Sequence, residues 1–101
     1  MSTSGSTPLY LVAVIRPRLD SMATVEERLR IMMAASEQEE GCHYMELAVD
    51  PSDESTWYMF EKFRSREDWD LHMQTDHVLA GNEFLADLLR EPTELRLYDA
   101  K

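Results

Sequence analysis

The sequence predicts an α+β fold: one domain with the order βαββαβ, a four-stranded antiparallel sheet, and a second helix broken in two. Three observations predict it. Four short segments carry strand patterning, two longer stretches carry apolar residues at helical spacing, and turn or cap residues stand at each junction. The 101 residues suffice for one domain. Residues 1–8, rich in Ser and Thr, are expected to be a disordered tail ahead of a domain spanning 9–101.

The first strand is expected over Leu9 to Arg16, apolar enough to be buried on both faces and ended by Pro17. A helix follows from Ser21 to about Gln38, capped by Ser21 or Asp20. Met22, Val25, Leu29, Met32 and Met33 form its apolar face. The methionines suit either core packing or a plastic binding surface, and the helical periodicity favours the core. Gly41 suits a left-handed position closing that helix.

Cys42 to Val49 reads as the second strand and Thr56 to Phe63 as the third. The turn residues Asp50-Pro51-Ser52-Asp53 between them imply an antiparallel hairpin. Ser65 caps a short helix, with Asp68 as its capping-box-like partner and Trp69, His72 and Met73 on its inner face. Thr75-Asp76 offers a new cap for a helix to about Arg90, burying Val78, Leu85, Leu88 and Leu89 before Pro92 stops it. Thr93 to Asp99 alternates as the last strand. This order is the split-βαβ, or ferredoxin-like, arrangement, with helices on one sheet face. The other face keeps apolar side chains that this chain leaves uncovered, which calls for a second copy and predicts a homodimer.

Twenty acids stand against ten bases, for a formal net charge of −10. No Lys/Arg patch offsets phosphate charge, so nucleic acid is not an expected partner. No apolar run approaches the roughly 18 residues of a membrane span, and the simplest location is the cytoplasm. Cys42 is the single cysteine, which excludes an intrachain disulfide and reads as a small buried residue rather than a nucleophile. With three glycines there is no phosphate loop, and no nucleophile elbow or Cys-x-x-Cys occurs. No cofactor is expected.

Side chains with chemical reach gather between Trp57 and His77. Strand alternation points Met59, Glu61 and Phe63 one way, and Tyr58, Phe60 and Lys62 the other. Glu61 lies mid-strand among large apolar neighbours, so it is either in a pocket or paired with an Arg or Lys at the sheet edge. His72 and His77 flank the helix break, where both can turn inward as acid/base groups or stay as capping imidazoles. His-x4-His is not a standard ligand spacing, so no metal is expected. His43, on the second strand, reads as incidental.

Several motifs stand in a familiar order: Glu39-Glu40-Gly41-Cys42, Asp50-Pro51, Trp57-Tyr58-Met59-Phe60-Glu61-Lys62-Phe63, Ser65, and His72-Met73-Gln74-Thr75-Asp76-His77. The ordered set, over about residues 9–99, resembles the antibiotic-biosynthesis-monooxygenase domain family. The resemblance implies a dimeric α+β barrel. Members include cofactor-free monooxygenases of aromatic polyketides, quinol monooxygenases, heme degraders and an isomerase of a phosphorylated autoinducer. The polyketide branch carries Asn and Trp where this chain has Met59 and Phe63, and Tyr where it has Trp69. The heme degraders carry Trp at His72 and an axial His at Asn82. The quinol and isomerase branches share the Glu61, His72 and His77 pattern more closely.

The expected function is therefore cofactor-independent oxygenation of a small phenol or quinol by O₂. His72 or His77 is the base, Glu61 orients or charges it, and Trp69, Phe63 and Met59 line the substrate pocket. The alternatives are a cofactor-free isomerase of a small carbonyl compound using the same His pair, and a non-catalytic dimeric module that binds a hydrophobic ligand.

Overall fold

A computed structural model describes residues 7–101. The tail expected over residues 1–8 lies mostly outside the described residues. Strand β1 spans Leu9–Ile15, helix α1 Met22–Ser36, β2 Cys42–Asp50, β3 Asp53–Phe63, α2 Arg66–His72, α3 Asp76–Leu85, and β4 Glu94–Asp99. The sheet order is β2-β3-β1-β4, with every neighbouring pair antiparallel. This is the ferredoxin-like α+β arrangement, with β2 and β4 at the edges.

Register fixes the two faces. Leu11 stands opposite Glu61 and Leu97, and Ala13 opposite Met59 and Leu95. This face meets the helices, and Ala13, Ile15, Trp57 and Met59 form a core with Val25, Leu29 and Met33 of α1 and Leu85 of α3. The alternate residues, among them Tyr10, Tyr44, Phe60 and Tyr98, lie on the opposite face and are exposed. The apolar stripe of α1 thus goes to the core, as its 3.6-residue periodicity requires.

The break between α2 and α3 is built by two caps. The Ser65 hydroxyl accepts from the Asp68 N–H, and the Thr75 hydroxyl accepts from the Val78 N–H. Thr75 also donates its hydroxyl to the His72 carbonyl at 2.7 Å. One side chain therefore closes the first helix and opens the second.

Several local expectations are corrected. Helix α1 ends at Ser36, and the Ser21 hydroxyl donates to Asp20 instead of capping it. Helix α3 ends at Leu85 and continues only as a 3₁₀ turn over Ala86–Leu88, leaving Leu88 and Leu89 half-buried. Strand β3 begins three residues early, at Asp53, because the Asp53 carboxylate is held by Ser55 and Thr56. Gly41 does not adopt the left-handed conformation. Glycine is needed there because a Cβ would collide with the Asp68 side chain.

Candidate functional site

Between the helix-facing side of the sheet and helices α1 and α3 lies a cavity of about 500 Å³. Met32 and Met33 of α1, Met45 of β2, Met59 of β3 and Met73 after α2 supply much of its wall. Unbranched thioethers adapt to irregular apolar shapes. The titratable groups of its wall are Glu61, His72, Arg90 and Glu91. Arg90 is engaged by Ser55, donating to its hydroxyl and its carbonyl, both at 3.0 Å.

Glu61 is 7% exposed on β3. Among the described residues no ion pair holds it, so the sheet-edge salt bridge is not formed and the carboxyl faces the cavity. Burial, and secondarily the charge of Glu39, push its pKa up to about 7. Below that pH Glu61 is a neutral acid able to donate a hydrogen bond.

His72 closes α2 with its side chain almost fully buried. Its ring packs on Phe63, centroids 4.8 Å apart. Its Nδ1 lies 2.9 Å from Oε2 and 3.1 Å from Oε1 of Glu39. His77, in the first turn of α3, sets Nε2 2.6 Å from the same Oε2. Each nitrogen donates to the carboxylate, which fixes the tautomers: His72 carries its proton on Nδ1 and His77 on Nε2. Glu39 reaches both rings from the α1–β2 turn, which is held by Glu39 N–H to the Ser36 carbonyl and Cys42 N–H to the Glu39 carbonyl. Burial, then the charge of Glu39, also push the Cys42 thiol up to about 11, so it stays protonated.

The structure distributes the predicted site residues unevenly. Met59, Glu61, Trp69 and His72 line the cavity. Phe63 and His77 do not. Phe63 is fully enclosed with Leu9 and Leu11, packed by Trp69 and Leu97, and serves as the floor beneath the imidazole. His77, in the first turn of α3, meets Glu39 instead. The residue that holds His72 is Glu39, not Glu61. It stands 33 positions upstream in the run Glu39-Glu40-Gly41-Cys42, a motif that carried the family resemblance but had no assigned role. His43 is exposed at an irregularity in the β2–β3 register, far from any role here.

Comparison with known proteins agrees with this architecture. Residues 8–83 match the family described as antibiotic biosynthesis monooxygenase. Rv0793 of Mycobacterium tuberculosis, whose name carries a provisional assignment as a monooxygenase, is 28% identical over 87 residues, covering 86% of this chain and 85% of the relative. Its solved structure superposes with a TM-score of 0.88 at 24% identity, over 93% and 95% of the two chains. PA3566 of Pseudomonas aeruginosa gives a TM-score of 0.88 at 28% identity, over 98% and 99%. A conserved protein of Methanosarcina mazei Go1 gives 0.90 at 19% identity, over 94% of each chain, a likeness of fold alone. With the family match spanning most of the chain and every element of the fold in place, this protein belongs to the antibiotic biosynthesis monooxygenase family.

Proposed function

We propose that this chain is a cofactor-independent monooxygenase that oxidises a small phenol or quinol with O₂. The observation that carries the reading is a buried imidazole on the wall of an apolar cavity, its Nδ1–H held by a carboxylate. That arrangement leaves the lone pair on Nε2, the form a general base needs. The cavity volume falls within the ~300–1,000 Å³ of small-molecule sites.

The chemistry uses the substrate's own electrons. His72 takes the phenolic proton, and Glu39 stabilises the imidazolium that forms. The phenolate passes one electron to O₂. Superoxide and the phenoxyl radical combine at a ring carbon bearing hydrogen, and the peroxide takes the proton back from His72. Loss of water leaves a carbonyl, so one oxygen atom enters the product and the other leaves as water. Glu61, in its neutral form, donates to a second substrate oxygen and sets the ring's orientation. Trp69 and Met59 flank the ring and keep the site dry. His77 acts through Glu39, as a second donor that fixes the carboxylate.

An oxygen electrode with a panel of hydroquinones and hydroxylated naphthalenes tests the reading. The expected result is stoichiometric O₂ uptake without added metal or flavin. Turnover of a carbonyl substrate with no O₂ uptake assigns the same base to an isomerase instead. Binding without any turnover reduces the site to a ligand-holding module.

The working unit is proposed to be a cytoplasmic homodimer. Tyr10, Tyr44, Phe60 and Tyr98 are exposed on the sheet face away from the helices, aromatic side chains that a second sheet would cover. Sedimentation velocity is expected to give twice the chain mass of 11.8 kDa at micromolar concentration. Only monomer there excludes the dimer.

A further inference from the structure

We infer that Glu39, His72 and His77 also form a binding site for one divalent ion of the zinc class. Their donor atoms all lie within 4.8 Å of one another. Two imidazoles and one carboxylate are the ligand types that suit Zn²⁺, Co²⁺ and Ni²⁺. The spacing of His72 and His77 alone gave no reason to expect an ion. The third donor arrives only when the α1–β2 turn is folded against the helix break.

The geometry is close to, but not at, coordination. A tetrahedral ion with bonds of about 2.0–2.1 Å needs its donors roughly 3.3 Å apart. The two Glu39–His contacts, at 2.9 and 2.6 Å, are shorter and must open. The two imidazole nitrogens must close from their wider separation. Both movements are side-chain rotations of about an ångström, because the backbones that carry the ligands are fixed by the Thr75 cap and the α1–β2 turn. Access is graded. The His72 side chain is 5% exposed, Glu39 19% and His77 27%, so an ion enters from the His77 side and ends against the buried ring. No Arg or Lys competes for Glu39 among the described residues. Arg64, whose N–H reaches the Gly41 carbonyl beside this turn, pairs with Glu40 and Asp68.

Binding has a chemical consequence, which rests on the base role proposed for His72. An ion on Nδ1 moves the ring proton to Nε2, and a protonated Nε2 cannot accept one from substrate. The ion is therefore an inhibitor of the metal-free enzyme rather than its cofactor.

The test is a calorimetric titration of zinc chloride into the full chain after chelator stripping, repeated with cobalt chloride and read by its visible d–d bands. One ion per chain at micromolar affinity or tighter is expected, with cobalt bands of nitrogen–oxygen ligation. Glu39→Gln and His77→Ala should each weaken binding at least ~10-fold, since even outer-shell partners of metal ligands command that much. His77→Gln replaces the alanine variant if circular dichroism finds that one unfolded. Absence of saturable binding overturns the site, as does binding that both substitutions leave unchanged. Turnover that continues with the site saturated overturns the inhibitory link alone. A chain that binds zinc but turns over no quinol keeps the ion site and loses the oxygenase reading.

Discussion

Replacing His72 with alanine is expected to lower turnover by ~10²–10⁴, the range for loss of a positioned general acid/base. Glu39→Gln keeps the size of the side chain but removes the charge that stabilises the imidazolium, and is expected to fall between the variant and the parent. The measurement is O₂ consumption per folded molecule in chelator-treated buffer, so that neither misfolding nor bound ion enters the comparison. The substitution also empties space above Phe63, because the two rings pack at 4.8 Å. A lower melting temperature is therefore expected from His72→Ala in any case, and stability alone does not discriminate. His72→Gln, which fills more of that space, separates the roles: a base predicts that it stays as slow as alanine, a packing role predicts recovery. Unchanged turnover in both variants removes His72 from the chemistry.

Glu61→Gln is expected to stabilise the fold at pH 8 and to do so hardly at all near pH 4. Burial lifts the folded-state pKa from 4.5 to about 7. Between those values the folded protein keeps a proton that the unfolded chain has released. Wild-type stability therefore falls as pH rises through this window, and the full loss is present above pH 7. A shift of this size corresponds to roughly 3 kcal/mol. Glutamine cannot ionise and escapes it. For a domain of this length that is on the order of 10 °C or more in melting temperature. Urea melts of both proteins across pH 4–8, without metal, measure the difference. A gap that does not widen with pH would falsify the raised pKa and with it the neutral-acid role of Glu61 in the cavity. The same titration bears on function: above pH 7 the cavity gains a negative charge, which disfavours a phenolate beside it, so activity is expected to decline there.

The Glu61 prediction shows how far local pattern reaches. Strand alternation placed Met59, Glu61 and Phe63 on one face, and pairing of Leu11 with Glu61 and Leu9 with Phe63 makes it the helix-packed face. Alternation reports a side, not a depth. Glu61 looks into a cavity while Phe63, two residues on, is fully enclosed, because α2 passes over the end of the strand and the middle lies open beneath α1 and α3. The helix break was legible for a similar reason, since Ser65 and Thr75 are caps whose partners lie three residues away.

The sequence by itself determined the element order, the antiparallel hairpin, the caps at Ser65 and Thr75 and the two faces of the third strand. All of these follow from interactions within a few residues. Tertiary structure alone decided what holds His72. The carboxylate comes from 33 positions upstream, in a turn whose own residues show no periodicity to mark it. It also decided that His77 serves that carboxylate instead of the cavity, and that three donors converge where two had an unpromising spacing. Periodicity encodes which way a side chain points relative to its own element. Which distant side chain meets it depends on how two turns approach when the helices settle on the sheet, and only the packed core fixes that distance.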